Sequence, residues 1–174
     1  MLGKLQTTPA LDRTDLLAGP VIAALRAWPT EVQVAEIDPE LADTAAFCAE
    51  YDVKLEESAN CVVIAGKREG AVRYAACVVL ATTRADVNGT VRRYLDVRKA
   101  SFASMDTAVA ETGMEYGGIT PVGLPAAWPV LVDARVVAVP YVVIGSGVRR
   151  SKLVLPGPAL AELPGAEVIA DLAR

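Results

Sequence analysis

Apolar and polar positions change period several times along the chain, and each change marks an element. After Gly19-Pro20, the residues Val21, Ile22 and Leu25 form an apolar stripe at helical spacing, with proline at the first helical position. Trp28-Pro29 closes that helix, because the residue before a proline avoids helical dihedrals. Residues 31–37 alternate through Val32, Val34 and Ile37 with one slip, which predicts a short strand. Asp38-Pro39 opens a second helix over residues 39–51, with Asp38 as cap and Leu41, Ala42, Ala45, Ala46, Phe47 and Ala49 as its small apolar set.

The middle of the chain is dominated by β-branched runs. Residues 61–65 and 72–82 flank a charged loop bounded by Gly66 and Gly70, which predicts a hairpin. Residues 77–81 are apolar on both faces and suit a central strand. Val87, Val91, Tyr94 and Leu95 predict a helix over residues 86–97, weakened at its start by Asn88-Gly89, and residues 99–103 a brief strand. Ser104 is the cap of a helix over residues 105–112 that Gly113 ends in a left-handed conformation. Residues 130–133, 141–144, 152–155 and 166–169 read as strands, with a short helix from Pro158. The class is α+β (mixed α/β): a curved sheet with helices around it. Residues 1–29 are expected to form an N-terminal helical extension, and residues 30–174 the main domain.

Composition narrows the chemistry. The chain has 174 residues, 53% of them hydrophobic, which suffices for a real core. It contains no histidine, so it cannot by itself build a Ser-His-Asp triad, a Cys-His dyad or a histidine-containing zinc site. A base near neutral pH must then be a shifted Asp, Glu, Lys or Cys, the terminal amine, or a group on the substrate. Cys48, Cys61 and Cys77 form no C-x-x-C pair and read as free thiols in a reducing cytoplasm. No apolar run is long enough for a transmembrane helix, and residues 1–20 carry no signal-peptide pattern. The net charge of −4 argues against a generic nucleic-acid binder. Two basic groups remain, Arg92-Arg93 with their neighbours and Arg149, Arg150 and Lys152; unaided, they read as solvated surface charge.

The least ordinary segment is Tyr116-Gly117-Gly118-Ile119-Thr120-Pro121-Val122-Gly123-Leu124-Pro125. It cannot continue a helix or a central strand. It is either a crossover loop or a place where backbone N–H groups approach a ligand closely. Gly145-Ser146-Gly147 follows an apolar strand, lacks the dinucleotide-binding pattern and reads as a hairpin turn. Asp133 and Ser146 are second-rank candidates for a general base and a hydrogen bond, with strand-end and turn roles as their plainer reading. Cys61 has no histidine to activate it and reads as a structural thiol.

Taken together, residues from about 30 to 172 resemble the YbaK/EbsC family, the domain associated with prolyl-tRNA synthetase. The resemblance rests on the helix around residues 44–52, the hairpin of residues 61–82, and the helix from Asp86 to Leu95. It continues in the order Gly117-Gly118-x-x-Pro121-x-Gly123, then residues 129–133, then Gly145-Ser146-Gly147-x-Arg149. It implies a strongly curved mixed sheet and hydrolysis of misacylated tRNA without metal or cofactor. The acceptor end of aminoacyl-tRNA would bind between the glycine loop and the hairpin. By the same resemblance Gly117, Gly118, Pro121 and Asn60 are expected to carry catalysis. Cys61, Gly123, Asp133, Gly145, Ser146, Gly147 and Arg149 are expected to bind substrate. Such a protein would be cytoplasmic, without a membrane partner.

One position departs from the family pattern. A lysine usually opens the first hairpin strand, and here Asn60 stands there. An amide keeps a directional hydrogen bond but brings no charge. That motivates two further readings beside the trans-acting hydrolase: a non-catalytic binder of aminoacyl-tRNA or a small aminoacyl-like ligand, and a module that joins a synthetase through residues 1–29. If tRNA is the partner, Arg92, Arg93, Arg149, Arg150 and Lys152 are expected around one mouth of the pocket, and Asn60→Lys is expected to raise affinity for the tRNA end.

Overall fold

The computed structural model describes residues 2–174. Among these described residues, nine strands form two sheets. The first contains β1 (Thr7–Pro9), β2 (Gln33–Glu36), β8 (Ser151–Leu155) and β7 (Val142–Gly145), side by side in that order and all antiparallel. The second runs β5 (Ala100–Phe102), β3 (Ala59–Arg68), β4 (Ala71–Leu80), β6 (Val130–Asp133) and β9 (Ala166–Ile169). Its first three strands are antiparallel, and β6 and β9 join in parallel. The two sheets meet where Ser58, just before β3, bridges to Val143 of β7. The mixed α/β architecture agrees with the class read from the sequence, with the strands divided between two sheets rather than one.

Alternation along each strand divides the apolar residues between layers. Val34, Leu153, Leu155, Val142 and Ile144 of the first sheet share a core with Ala59, Val78, Leu80, Val130 and Val132 of the second. The opposite face of the first sheet, with Ala35, Val143 and Val154, is covered by Phe47 and Cys48 of helix α2 (Thr44–Tyr51). The opposite face of the second sheet, with Ile64, Ala75, Cys77 and Leu131, lies under Leu95 of the short helix α3 (Arg92–Leu95). The segment before residue 30 supplies β1 and helix α1 (Gly19–Ala27), whose Val21 and Leu25 enter the shared core.

Several local expectations are refined. The helix expected over residues 39–51 splits into a single 3-10 turn at Pro39–Leu41 and α2, because a second aspartate, Asp43, caps α2 by accepting from Ala45 N–H at 3.1 Å. The helix expected over residues 86–97 begins as a wide turn, Val87–Val91, in which Asp86 accepts from Thr90 N–H at 3.1 Å, and becomes regular only at α3. Helix α4 (Met105–Thr112) has the expected ends: Ser104 accepts from Thr107 N–H, and Gly113 sits at φ 68°. A one-turn helix α5 (Ala134–Val137), which the sequence reading did not include, follows β6.

Candidate functional site

A cavity of about 340 Å³ opens at the junction of the two sheets. Its first wall is the opening of β3, residues 58–63. That stretch has β4 on one side; on the other, Ser58 bridges to Val143, Val63 O accepts from Ala103 N–H at 2.9 Å and β5 pairs with residues 64–66, so the edge is open over residues 59–62. The second wall is the start of α2, Ala42, Asp43 and Thr44. Phe102, Ala103 and Ala108 form the third, and Tyr116, Gly117 and Ile119 the fourth. Val143, Ile144 and Gly145 of β7 and Lys152 of β8 make the floor. Ala59, Ala103, Ala108 and Gly145 keep the walls small, Asp43, Thr44, Ser58, Asn60 and Lys152 make the lining part polar, and the rim carries two exposed aromatic rings, Phe102 and Tyr116.

The polar groups gather at one corner. Thr44 Oγ1 donates to Asn60 Oδ1 at 2.7 Å, so the Asn60 carbonyl is occupied. Lys152 Nζ, from the neighbouring sheet, donates to the carbonyl of Ala42 at 3.2 Å and lies 5.2 Å from the centre of the Phe47 ring. Lys152 is only 9% exposed. Burial pushes its pKa below the ordinary lysine value; Cys48 and the Asp43 carboxylate oppose that shift, and the nearby Arg149 guanidinium adds to it. Cys61 also lines the cavity, half-buried, and loss of solvent pushes its thiol above the usual cysteine range, which favours the protonated form.

Of the residues expected from the sequence, Asn60, Cys61, Gly117 and Gly145 line this cavity. Gly118, Ser146 and Gly147 stand behind its wall, where two glycine segments cross. Gly147 N–H donates to Gly118 O at 2.7 Å, Gly118 N–H to Glu115 O at 3.0 Å, and Glu115 N–H to Gly147 O at 2.9 Å. The crossing leaves no room for a Cβ: one on Gly118 would stand 2.6 Å from Val148 O, and one on Gly145 2.6 Å from Gly118 O. Ser146 is fully buried in the same turn, 2.7 Å from the Ser151 hydroxyl, which donates to Leu16 O at 2.6 Å. Arg149 braces the wall, its guanidinium donating to Tyr116 O at 3.3 Å and to Pro39 O at 3.1 Å, while its N–H donates to Glu115 at 2.7 Å.

Three expected residues lie elsewhere. Pro121 and Gly123 line a separate apolar cavity beside Trp28 and Leu124. Asp133 is buried with both oxygens engaged, accepting from Arg135 N–H at 2.8 Å and Ala173 N–H at 2.9 Å, which caps α5 and ties down the C-terminal segment. Neither Arg92 nor Arg93 lines the cavity; they belong to α3, which packs over Ile64, Ala75 and Cys77 of the second sheet. The sequence reading put Lys152 among surface charges. Alternation along β8 puts Lys152 and Val154 on the face opposite Leu153 and Leu155, which by itself carries no signal that the lysine is buried.

The sequence model of one family, the aminoacyl-tRNA editing domain, matches residues 38–163, and the chain belongs to that family. Among curated proteins none matches. Among solved structures, hypothetical protein APE2540 shares 22% identity and a TM-score of 0.78, over 89% of this chain and 99% of its own. A structure from work on computational epitope grafting onto scaffold proteins shares 21% identity and a TM-score of 0.75, over 88% of this chain and 95% of its own. A candidate trans-editing enzyme for prolyl-tRNA synthetase shares 21% identity and a TM-score of 0.72, over 87% of this chain and 93% of its own. These likenesses establish the fold, and the family supplies the link to aminoacyl-tRNA editing. No described helix is long and apolar enough to cross a membrane.

Proposed function

We propose that the chain hydrolyses the ester of misacylated tRNA in trans, in the cytoplasm. The observation that carries this reading is the cavity at the open edge of β3. It joins small apolar walls to a polar corner, in a chain of the aminoacyl-tRNA editing family. Ala59, Ala103, Ala108 and Gly145 suit a small aminoacyl side chain. Phe102 and Tyr116 at the rim offer stacking surfaces for the terminal adenine of the acceptor end. With its carbonyl held by Thr44, Asn60 directs its amide N–H groups to the ester or the ribose.

The chemistry needs no histidine. Water attacks the ester carbonyl carbon, the bond from that carbon to the ribose oxygen breaks, and the ribose oxygen takes up a proton from the attacking water. The amino acid leaves as its carboxylate with release of one proton. Positioning and oxyanion stabilisation supply the rate. Likeness to a candidate trans-editing enzyme for prolyl-tRNA synthetase makes tRNA(Pro) the first acceptor to try. The test is deacylation of Ala-, Cys- and Ser-tRNA(Pro) at fixed enzyme. Hydrolysis of at least one above the spontaneous rate is expected, and none above it refutes the reading. Asn60 in place of the family lysine favours one alternative, binding without turnover, which would show as saturable binding of aminoacyl-tRNA at the spontaneous rate of hydrolysis.

A further inference from the structure

Two charged side chains are buried among the described residues, Asp133 and Lys152. Asp133 has a backbone N–H on each oxygen. Lys152 has a single acceptor, the Ala42 carbonyl, and no carboxylate within 4 Å among the described residues. An ammonium has three donors, and here the Asp43 carboxylate of the same cavity lies beyond 4 Å and the Phe47 ring face at 5.2 Å, so the buried charge is only partly compensated, which is costly to keep. This one faces a cavity rather than packed core. Asn60 and Lys152 also converge. One reaches Thr44 and the other Ala42, from strands of different sheets, so amide and ammonium stand at one corner against residues 42–44.

We propose that Lys152 is a catalytic residue for ester hydrolysis: its ammonium donates to the carbonyl oxygen of the aminoacyl ester and stabilises the oxyanion formed when water adds. The inference rests on the hydrolytic reading above. A nucleic-acid end enters from solvent with its terminal ester deepest, and Lys152 rises from the floor, on a strand flanked by β2 and β7. It therefore meets the ester before any phosphate. In a site of low dielectric, a fixed charge next to developing negative charge is worth far more than in water. The amide of Asn60 and the ammonium then divide the work of one corner. A second ammonium there would repel the first, so Asn60→Lys should lower the rate rather than raise affinity.

The experiment measures three quantities: single-turnover deacylation of an aminoacyl-tRNA that the natural protein hydrolyses, the Kd for the same tRNA uncharged, and the Tm. For Lys152→Met the rate should fall by about 100-fold or more, the typical effect of removing one oxyanion donor. The Kd should change by less than about twofold, since no phosphate contact is lost. The Tm should hold or rise, because an unpaired buried charge has been removed. The double variant Asn60→Lys with Lys152→Asn, which returns one ammonium to the corner, should recover at least about tenfold of the lost rate. An unchanged rate in Lys152→Met overturns the inference. So does a weakened Kd with the rate constant retained, which would make Lys152 a phosphate holder. A collapsed Tm with no rescue in the double variant also overturns it and makes the lysine structural. Inactivity of the natural protein on every ester would instead remove the hydrolytic reading, and this inference with it.

Discussion

Gly118→Ala separates two roles for the glycine loop, fold and ligand. Built on the present backbone, the new Cβ would stand 2.6 Å from the oxygen, 2.7 Å from the carbon and 2.9 Å from the nitrogen of Val148. Carbon contacts are comfortable at roughly 3.5–4.0 Å, so the turn at Val148 must move by most of an ångström. All three neighbours are backbone, and Gly147 N–H is bonded to Gly118 O at the same crossing. Forced overpacking of this kind costs about 1–3 kcal/mol. In a chain of this size each kcal/mol lowers the Tm by about 2–4 °C, so a loss of about 2–12 °C is expected. Gly19→Ala is the control. Nothing lies within 4 Å of its Cβ position, and it opens a helix, so its Tm should stay within about 2 °C of the natural protein. Thermal melts of both variants, with deacylation assayed well below either midpoint, decide the matter. A Gly118→Ala protein with unchanged Tm and abolished activity would refute the steric argument and return Gly118 to the ligand.

Other outcomes follow from the same geometry. Asp133→Ala removes acceptors from two backbone N–H groups and should cost about 2–4 kcal/mol in denaturant unfolding, without a change of activity per folded molecule. Cys61→Ala should keep at least half of the deacylation rate, and the native thiol should resist iodoacetamide at neutral pH, because loss of solvent favours its protonated form. Rapid alkylation with loss of activity would contradict that. Burial lowers the folded-state pKa of Lys152 below that of the unfolded chain, so the unfolded state binds more protons between the two values and stability rises with pH there. The natural protein should gain stability relative to Lys152→Met as pH climbs from neutral toward about 10. A constant difference across that range would mean that the ammonium is not desolvated.

Local rules carried far along this chain. Ser104 and Gly113 bound α4 where capping chemistry puts them, and the alternating and β-branched runs became strands. Local rules failed where a side chain met a partner that only its neighbourhood supplies. Asp43 broke one expected helix and Asp86 delayed another by bonding to N–H groups within four residues. The three-residue strand β1 was missed because its stability comes from pairing with β2 across more than twenty residues, which leaves no periodic trace.

The candidate site divides along the same line. From the sequence alone came the family resemblance, the absence of histidine chemistry, Asn60 and Gly117 as site candidates that line the cavity, and a glycine loop left open between a plain crossover and a place of close approach to a ligand. What approaches Gly118 is decided in three dimensions, and it is the backbone of Val148. The two basic groups look alike as strings of residues. Tertiary pairing leaves Arg92 and Arg93 on α3, outside the cavity lining, and draws Lys152 into the cavity. Period-two alternation says only that Lys152 and Val154 share a face opposite Leu153 and Leu155. Whether that face meets water, core or a cavity depends on which strands and which helix end up beside it, and those contacts lie some hundred residues away, at Ala35, Ala42 and Phe47.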